Sequence, residues 1–275
     1  MATAVALVAV VGGTWWYLHA RTDHTTTAIS IDELLQDYRR STQPPPPPPP
    51  TAGGRSTTTP TTAAPSPMTA VGPAPSVQPA PGVYQYTTTG GDAVDALGGA
   101  SHQYPATSTI TVTVDGCATT QRWTAAAERW DELTTCAADG GVQLQRFVSL
   151  HRFFGADDTE TATCDGQARP LEATAGTTWT ARCVDGDETA TWTGTVIGTE
   201  TAMVGGQSVD VEHVVVTIDD GDARDSQRTE TWYLAGTDLV VRRISDIATT
   251  EGSLVGDVHY TEHYEMTLDS LSPLG

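Results

Sequence analysis

From Val83 onward, apolar and polar residues alternate with the period of two that marks a strand with one buried face. Ile110, Val112 and Val114 interleave with Thr109, Thr111 and Thr113, so aliphatics fall on one face and hydroxyls on the other. Asp115-Gly116 then supplies a type I′ hairpin signal. Further runs of this kind cover 142–150, 189–197, 209–218, 229–234, 239–244 and 259–268, separated by Gly, Asp and Thr. Their spacing predicts a mainly β, antiparallel meander. Helical periodicity is scarce: Asp92 to Leu97 reads as a short helix, and Thr124 to Leu133 reads as either a helix or a strand.

The chain before Val83 is patterned differently. Ala2 to Leu18 is an uncharged, largely apolar run of about 17 residues closing on Trp15, Trp16 and Tyr17, which is a membrane-spanning helix at the short limit with aromatic rings at one interface. Residues 1–20 are therefore expected to be a transmembrane signal-anchor; a cleaved signal peptide is the alternative, with Leu18-His19-Ala20 its nearest processing site. Nothing basic precedes this run, whereas Arg21, Arg39 and Arg40 follow it. An outward-facing C-terminal domain then implies a basic segment upstream of the given start. Residues 21–42 form a juxtamembrane segment in which Ile31, Leu34, Leu35 and Tyr38 recur at helical spacing behind a Ser30-x-x-Glu33 capping box. Residues 43–82 are a linker, with seven consecutive prolines at Pro44 to Pro50 followed by Thr, Ala, Ser and more Pro. That composition cannot bury a core; it predicts a disordered, extended stalk giving reach through an envelope layer. Residues 83–275 remain for one folded domain.

Charge and cysteine content narrow the function classes. A formal net charge of −20 disfavours nucleic-acid binding. All fourteen basic residues are arginine, and lysine and asparagine are absent, so neither a lysine Schiff base nor an N-glycosylation acceptor is available. Cys117, Cys136, Cys164 and Cys183 lack the close spacing of a zinc site and read as disulfides, which places the domain outside the cytoplasm. Four cysteines permit three pairings; the sequential one, Cys117 with Cys136 and Cys164 with Cys183, brackets about one hairpin each.

Candidate chemistry is sparse. His259-x₃-His263, with Glu262 and Glu265 nearby, suggests a metal site only on a helix; on a strand the two imidazoles stand about 13 Å apart, too far to share an ion. Asp219, Asp220, Asp222 and Asp225 crowd one turn, but the pattern of a calcium loop fails at Arg224 and no glutamate closes it, leaving an acidic hairpin tip. His151-Arg152-Phe153-Phe154-Gly155 is a compact basic-aromatic segment, readable as part of a binding mouth or as core aromatics at a strand end. Ser208 and Ser253 lack the second glycine of a nucleophile elbow. The sequence thus names no catalytic residue, metal or cofactor.

The stretch Glu230-Thr231-Trp232-Tyr233-Leu234-Ala235-Gly236-Thr237-Asp238-Leu239-Val240-Val241-Arg242-Arg243 resembles the strand-turn-strand of LolA-type and LppX-type envelope carriers. The chain as a whole resembles anchored envelope proteins of high-GC Gram-positive, actinobacterial type, sharing the anchor, the Pro/Thr linker and the tyrosine-rich start Gly82-Val83-Tyr84-Gln85-Tyr86. The carrier resemblance implies a curved, half-barrel-like antiparallel sheet around an apolar hollow. This chain departs from it in lacking a lipobox cysteine near the N-terminus and segments for the covering helices. Two functions follow as expectations: a binding module for a lipid or other apolar envelope component, or a structural or interaction domain with no small ligand. Both carry a single-pass location in the cell membrane, with the C-terminal domain outside.

Overall fold

A computed structural model describes residues 26–43, 77–138, 141–171, 173–253 and 256–274. The signal-anchor run and most of the proline-rich segment lie outside the described residues. Among the described residues, no helix is long and apolar enough to cross a membrane.

Among the described residues, one α-helix, α1 (Ile31–Thr42), precedes the strands β1 (Gly82–Val94), β2 (Ala100–Gln103), β3 (Thr107–Asp115), β4 (Ala118–Ala126), β5 (Arg129–Ala138), β6 (Gly141–Phe153), β7 (Ala156–Pro170), β8 (Thr178–Asp185), β9 (Glu188–Val204), β10 (Gln207–Asp219), β11 (Ser226–Leu234), β12 (Val240–Ser253) and β13 (Gly256–Leu268). From β3 to β13 each strand pairs with the next in antiparallel order, as the alternation predicts. The sheet does not stop at a half-barrel. β1 pairs with β3 through Gly82–Thr87 and with β13 through Tyr86–Val94, which closes twelve strands into a barrel; β2 is added beside the far half of β1. Closure removes the exposed edges that an open sheet of this length would present.

The up-and-down order gives the barrel two distinct ends. The turns β4–β5, β6–β7, β8–β9, β10–β11 and β12–β13 lie at one, the upper end; the turns β3–β4, β9–β10 and β11–β12, with Gly82 and the C-terminal Leu274 that bridges to Val83, lie at the lower. Inward-facing residues fill the lower half: Tyr84, Tyr86, Ile110, Val112, Trp123, Met266 and Leu268 are all 2% exposed or less. Trp123 stacks on Tyr264 with ring centroids 4.2 Å apart, and the Tyr86 hydroxyl donates to the Val240 carbonyl at 2.7 Å. Each such side chain contributes roughly 1.5–3 kcal/mol by burial. The lower opening is plugged by the β11–β12 turn: the Asp238 amide donates to Val77 O at 2.8 Å, and the buried Arg169 guanidinium reaches Glu212, the Thr237 carbonyl and the Tyr233 ring.

Three local expectations change. The β3–β4 turn centres on Gly116-Cys117, with positive φ at Gly116 alone, so it is not the type I′ turn that Asp115-Gly116 suggests. Thr124 to Leu133 is a hairpin between β4 and β5, its irregular periodicity reflecting a bulge between Thr124 and Ala126. Asp92 to Leu97 is not a helix: β1 continues through Val94, and only Ala96–Gly98 turns as a short 3₁₀ segment.

The cysteines pair sequentially. Cys117–Cys136 ties the β3–β4 turn to β5, and Cys164–Cys183 joins directly opposite residues of β7 and β8. The second bridge sits where it matters most, because the β7–β8 ladder holds only the four pairs from Thr163–Val184 to Gly166–Ala181. Closing a loop of about twenty residues stabilises by roughly 3 kcal/mol in the chain-entropy account.

Candidate functional site: the polar upper lumen

Above the aromatic layer, strand alternation aims charged side chains into the barrel. β13 presents Tyr260, Glu262 and Tyr264 inward, and Glu262, 2% exposed, stands beside Asp92 of β1. Arg129, the first residue of β5 and 2% exposed, meets it from the opposite wall: Nε donates to Glu262 Oε1 at 2.8 Å and Nη2 to Oε2 at 3.0 Å. The other edge of the same guanidinium grips Asp131, with Nη2 to Oδ2 at 3.0 Å. Tyr104 donates its hydroxyl to Glu262 Oε1. A fork with two bidentate partners is a geometry that arginine alone can fill.

Two histidines flank this ion triad. His102 Nδ1 lies 2.8 Å from Asp92 Oδ1, and its ring stacks on Phe153 at 4.6 Å. His151 packs edge-on against Tyr260 at 4.8 Å. Burial, then the positive charge of Arg129 and the neighbouring His102, pushes the His151 pKa down to about 2, so its imidazole stays neutral. Burial raises the Glu262 carboxyl, and the Arg129 guanidinium restrains the rise. Burial works against the Arg129 charge, but Asp131 and Glu262 more than offset it and hold its pKa well above the ordinary value. Among the described residues, three buried atoms here have no hydrogen-bond partner: Asp92 Oδ2, His151 Nδ1 and the Tyr260 hydroxyl. Buried polar groups normally find a partner, so these atoms suit an ordered water or small polar molecule.

The upper rim is acidic. Glu160 of β7 is open to solvent inside the mouth yet ringed by protein; desolvation, then Asp185, Asp131, Asp158 and Glu188, push its pKa up to about 7. Glu251 of β12 is raised by desolvation and by Asp158, Glu188 and Asp225 across the mouth. A carboxyl whose folded pKa exceeds its unfolded value binds more protons when folded, so its stabilising share is present at low pH and fades as pH rises from about 4.5 through 7. The melting temperature is therefore expected to fall between pH 5 and pH 8, and Glu160→Gln to flatten that fall, as followed by calorimetry. An unchanged pH profile in the variant refutes this assignment.

Of the residues singled out by sequence, His151 and Phe153 do reach the lumen, while Arg152 points outward to pair with Asp157. His259 and His263 lie on the outer wall, His263 against Asp246 at 2.6 Å and His259 against Thr250 at 3.0 Å. They flank no common point. Glu265 is also external, paired with Arg242 at 2.7 Å. The Asp219–Asp225 turn is a hairpin tip in which Arg224 occupies the charge-neutralising position, with Asp222 at 2.7 Å and Asp257 at 2.8 Å. Among the described residues, no group of three or more His, Cys, Asp or Glu side chains is arranged to hold a metal ion. Arg129, Asp92, His102 and Tyr104 were not singled out from sequence. Glu262 had a signal, since it shares strand parity with Tyr260, Tyr264 and Met266 and so points wherever they point.

Two recesses lie outside the lumen. A trough of about 570 Å³ on the outer wall is floored by the small residues Gly91, Ala93, Ala248 and Thr261 and bounded by the His263–Asp246 pair. A smaller one of about 250 Å³ lies between the start of α1 (Ile31, Leu34) and the wall at Pro105, Ala106 and Ala125. No family model, curated protein or solved structure matches the chain, so its reading rests on this geometry.

Proposed function

We propose that the chain is a membrane-anchored, extracytoplasmic barrel that serves the envelope as a structural or protein-interaction domain and carries no apolar cargo in its interior. The filled lumen is the observation behind this reading. Trp123, Tyr86, Tyr264 and Met266, all 2% exposed or less, occupy the space a carrier would leave hollow, and the Arg129 ion triad sits above them. A lipid tail entering from below would displace stacked aromatics; one entering from above would desolvate charges at a cost of several kcal/mol. Two disulfides support an oxidising compartment, and the apolar run Ala2–Leu18 supports attachment to the membrane.

The carrier reading keeps one supporting feature, the recess of about 250 Å³ beneath α1, whose walls include Ile29, Ile31, Leu34 and Ala106. Native mass spectrometry of the protein extracted from its membrane separates the two. Bare protein is expected; a stoichiometric lipid adduct that disappears in Leu34→Glu would overturn the proposal and assign the recess to carriage.

A further inference from the structure

The helix α1 does not stand apart from the barrel. The segment leading into it is tied to the upper end: the Ala127 amide in the β4–β5 turn donates to Thr27 O at 3.0 Å, and the Thr27 amide donates to Glu128 Oε2 at 3.0 Å. Ala28, Ile29, Ile31 and Leu34 then lie over β3 and β4. The outward-facing residues beneath show the cover: Thr109 is 3% exposed and its cross-strand partner Thr124 5%, values foreign to the solvent side of a barrel. The helix also packs against β1, whose Tyr84 hydroxyl donates to Ala80 O at 2.9 Å in the lower half. The twelve residues of α1 span about 18 Å, most of the height of the wall they follow. Val77, where the described chain resumes, is also at the lower end, accepting from Asp238.

These attachments fix where the rest of the chain must leave. We infer that α1 is a strut that presents the acidic upper rim of the barrel to the membrane, and that the proline-rich segment departs from and returns to the opposite, membrane-distal end. The inference rests on the reading of Ala2–Leu18 as a membrane anchor. Eight residues separate Leu18 from Thr27, nine Cα–Cα steps with a reach of at most about 30 Å. With the rim toward the bilayer that length is ample. With the lower end toward the bilayer, the same eight residues would have to run back along a barrel wall about 25 Å high, given strands of about ten residues tilted by about 40°, with almost nothing left to meet the headgroups. Prolines that lie beyond the barrel cannot lift it off the membrane.

Energy transfer to a headgroup-labelled acceptor tests this orientation in the full chain, reconstituted in phosphatidylcholine–phosphatidylglycerol vesicles. Donors are placed one at a time at exposed turn positions, Asp187→Cys at the upper end and Gln207→Cys at the lower. Transfer from the upper site is expected to exceed that from the lower several-fold. Deleting Pro44 to Pro50 is expected to leave this ratio unchanged, and Leu34→Glu, which undocks the strut, to reduce it. Equal or reversed transfer overturns the orientation alone, as does a ratio that collapses on deleting the prolines or survives Leu34→Glu. Protein that fails to float with the vesicles overturns the anchor reading, and the orientation with it.

Discussion

Glu262→Leu is expected to lower the unfolding free energy by about 3–5 kcal/mol, because it leaves the Arg129 guanidinium buried with one carboxylate where it had two. Arg129→Met should cost a similar amount, since it strands Glu262 beside Asp92 in a space that already lacks a partner for Asp92 Oδ2. The double variant Arg129→Met/Glu262→Leu should lose far less than the sum of the single losses, because apolar side chains of similar volume replace the pair and only Asp131, whose side chain is 18% exposed, is left without the guanidinium. Urea titration of the three variants measures the coupling. Additive losses would show that the two residues do not act as a unit, and that the triad is not what holds the β5 and β13 walls together. The comparison also bears on function. A stable double variant that has lost its envelope partner would make the upper lumen a recognition site; one that keeps it would make the triad a cross-lumen staple.

How much of this could be read from the residues alone depended on the range of the interactions. The β3–β4 and β11–β12 hairpins were legible because their strands and turns are contiguous, and the cysteines gave their pairing because each bridge spans one hairpin. The turn type at Gly116 was missed because one added residue before Ala118 shifts the turn centre, a matter of register that pattern does not carry. Barrel closure was invisible for a deeper reason. β1 and β13 are separated by most of the domain, and no property of Tyr84-Gln85-Tyr86 announces that one half of the strand will meet β3 and the other half β13. The lumenal charges were half legible. Glu262 could be placed by parity with its aromatic neighbours, whereas Arg129 lies where a bulge erases the alternation, and a lone arginine beside a turn reads as solvated. Helix α1 was legible as an amphipathic helix, but which surface its apolar face meets is information held by Thr109 and Thr124, whose burial no local pattern foretells.

Closure rests on a close approach that can be broken by one methyl group. Gly90 of β1 lies opposite Tyr264 of β13, at φ +121, a conformation that side-chain-bearing residues rarely adopt. A Cβ there would stand 2.6 Å from Tyr264 Cα and closer still to the His263 carbonyl oxygen, and backbone cannot yield as a flexible side chain would. Gly90→Ala therefore combines backbone strain of about 1–3 kcal/mol with overpacking of about 1–3 kcal/mol, for an expected loss of about 3–5 kcal/mol. Gly98→Ala is the matched control. Its φ is +100 but nothing lies within 4 Å of the added carbon, so only the strain remains and the loss should stay near 1 kcal/mol. The larger loss should also be local in origin. Hydrogen exchange is expected to speed first at the β13 amides from Thr261 to Thr267, which face β1, while the β9–β10 ladder keeps its protection. If Gly90→Ala and Gly98→Ala are equally mild, or if exchange rises uniformly around the barrel, then β1 is not a tight seam between β3 and β13. The ion triad would then have to hold the upper lumen together without a closed wall behind Glu262.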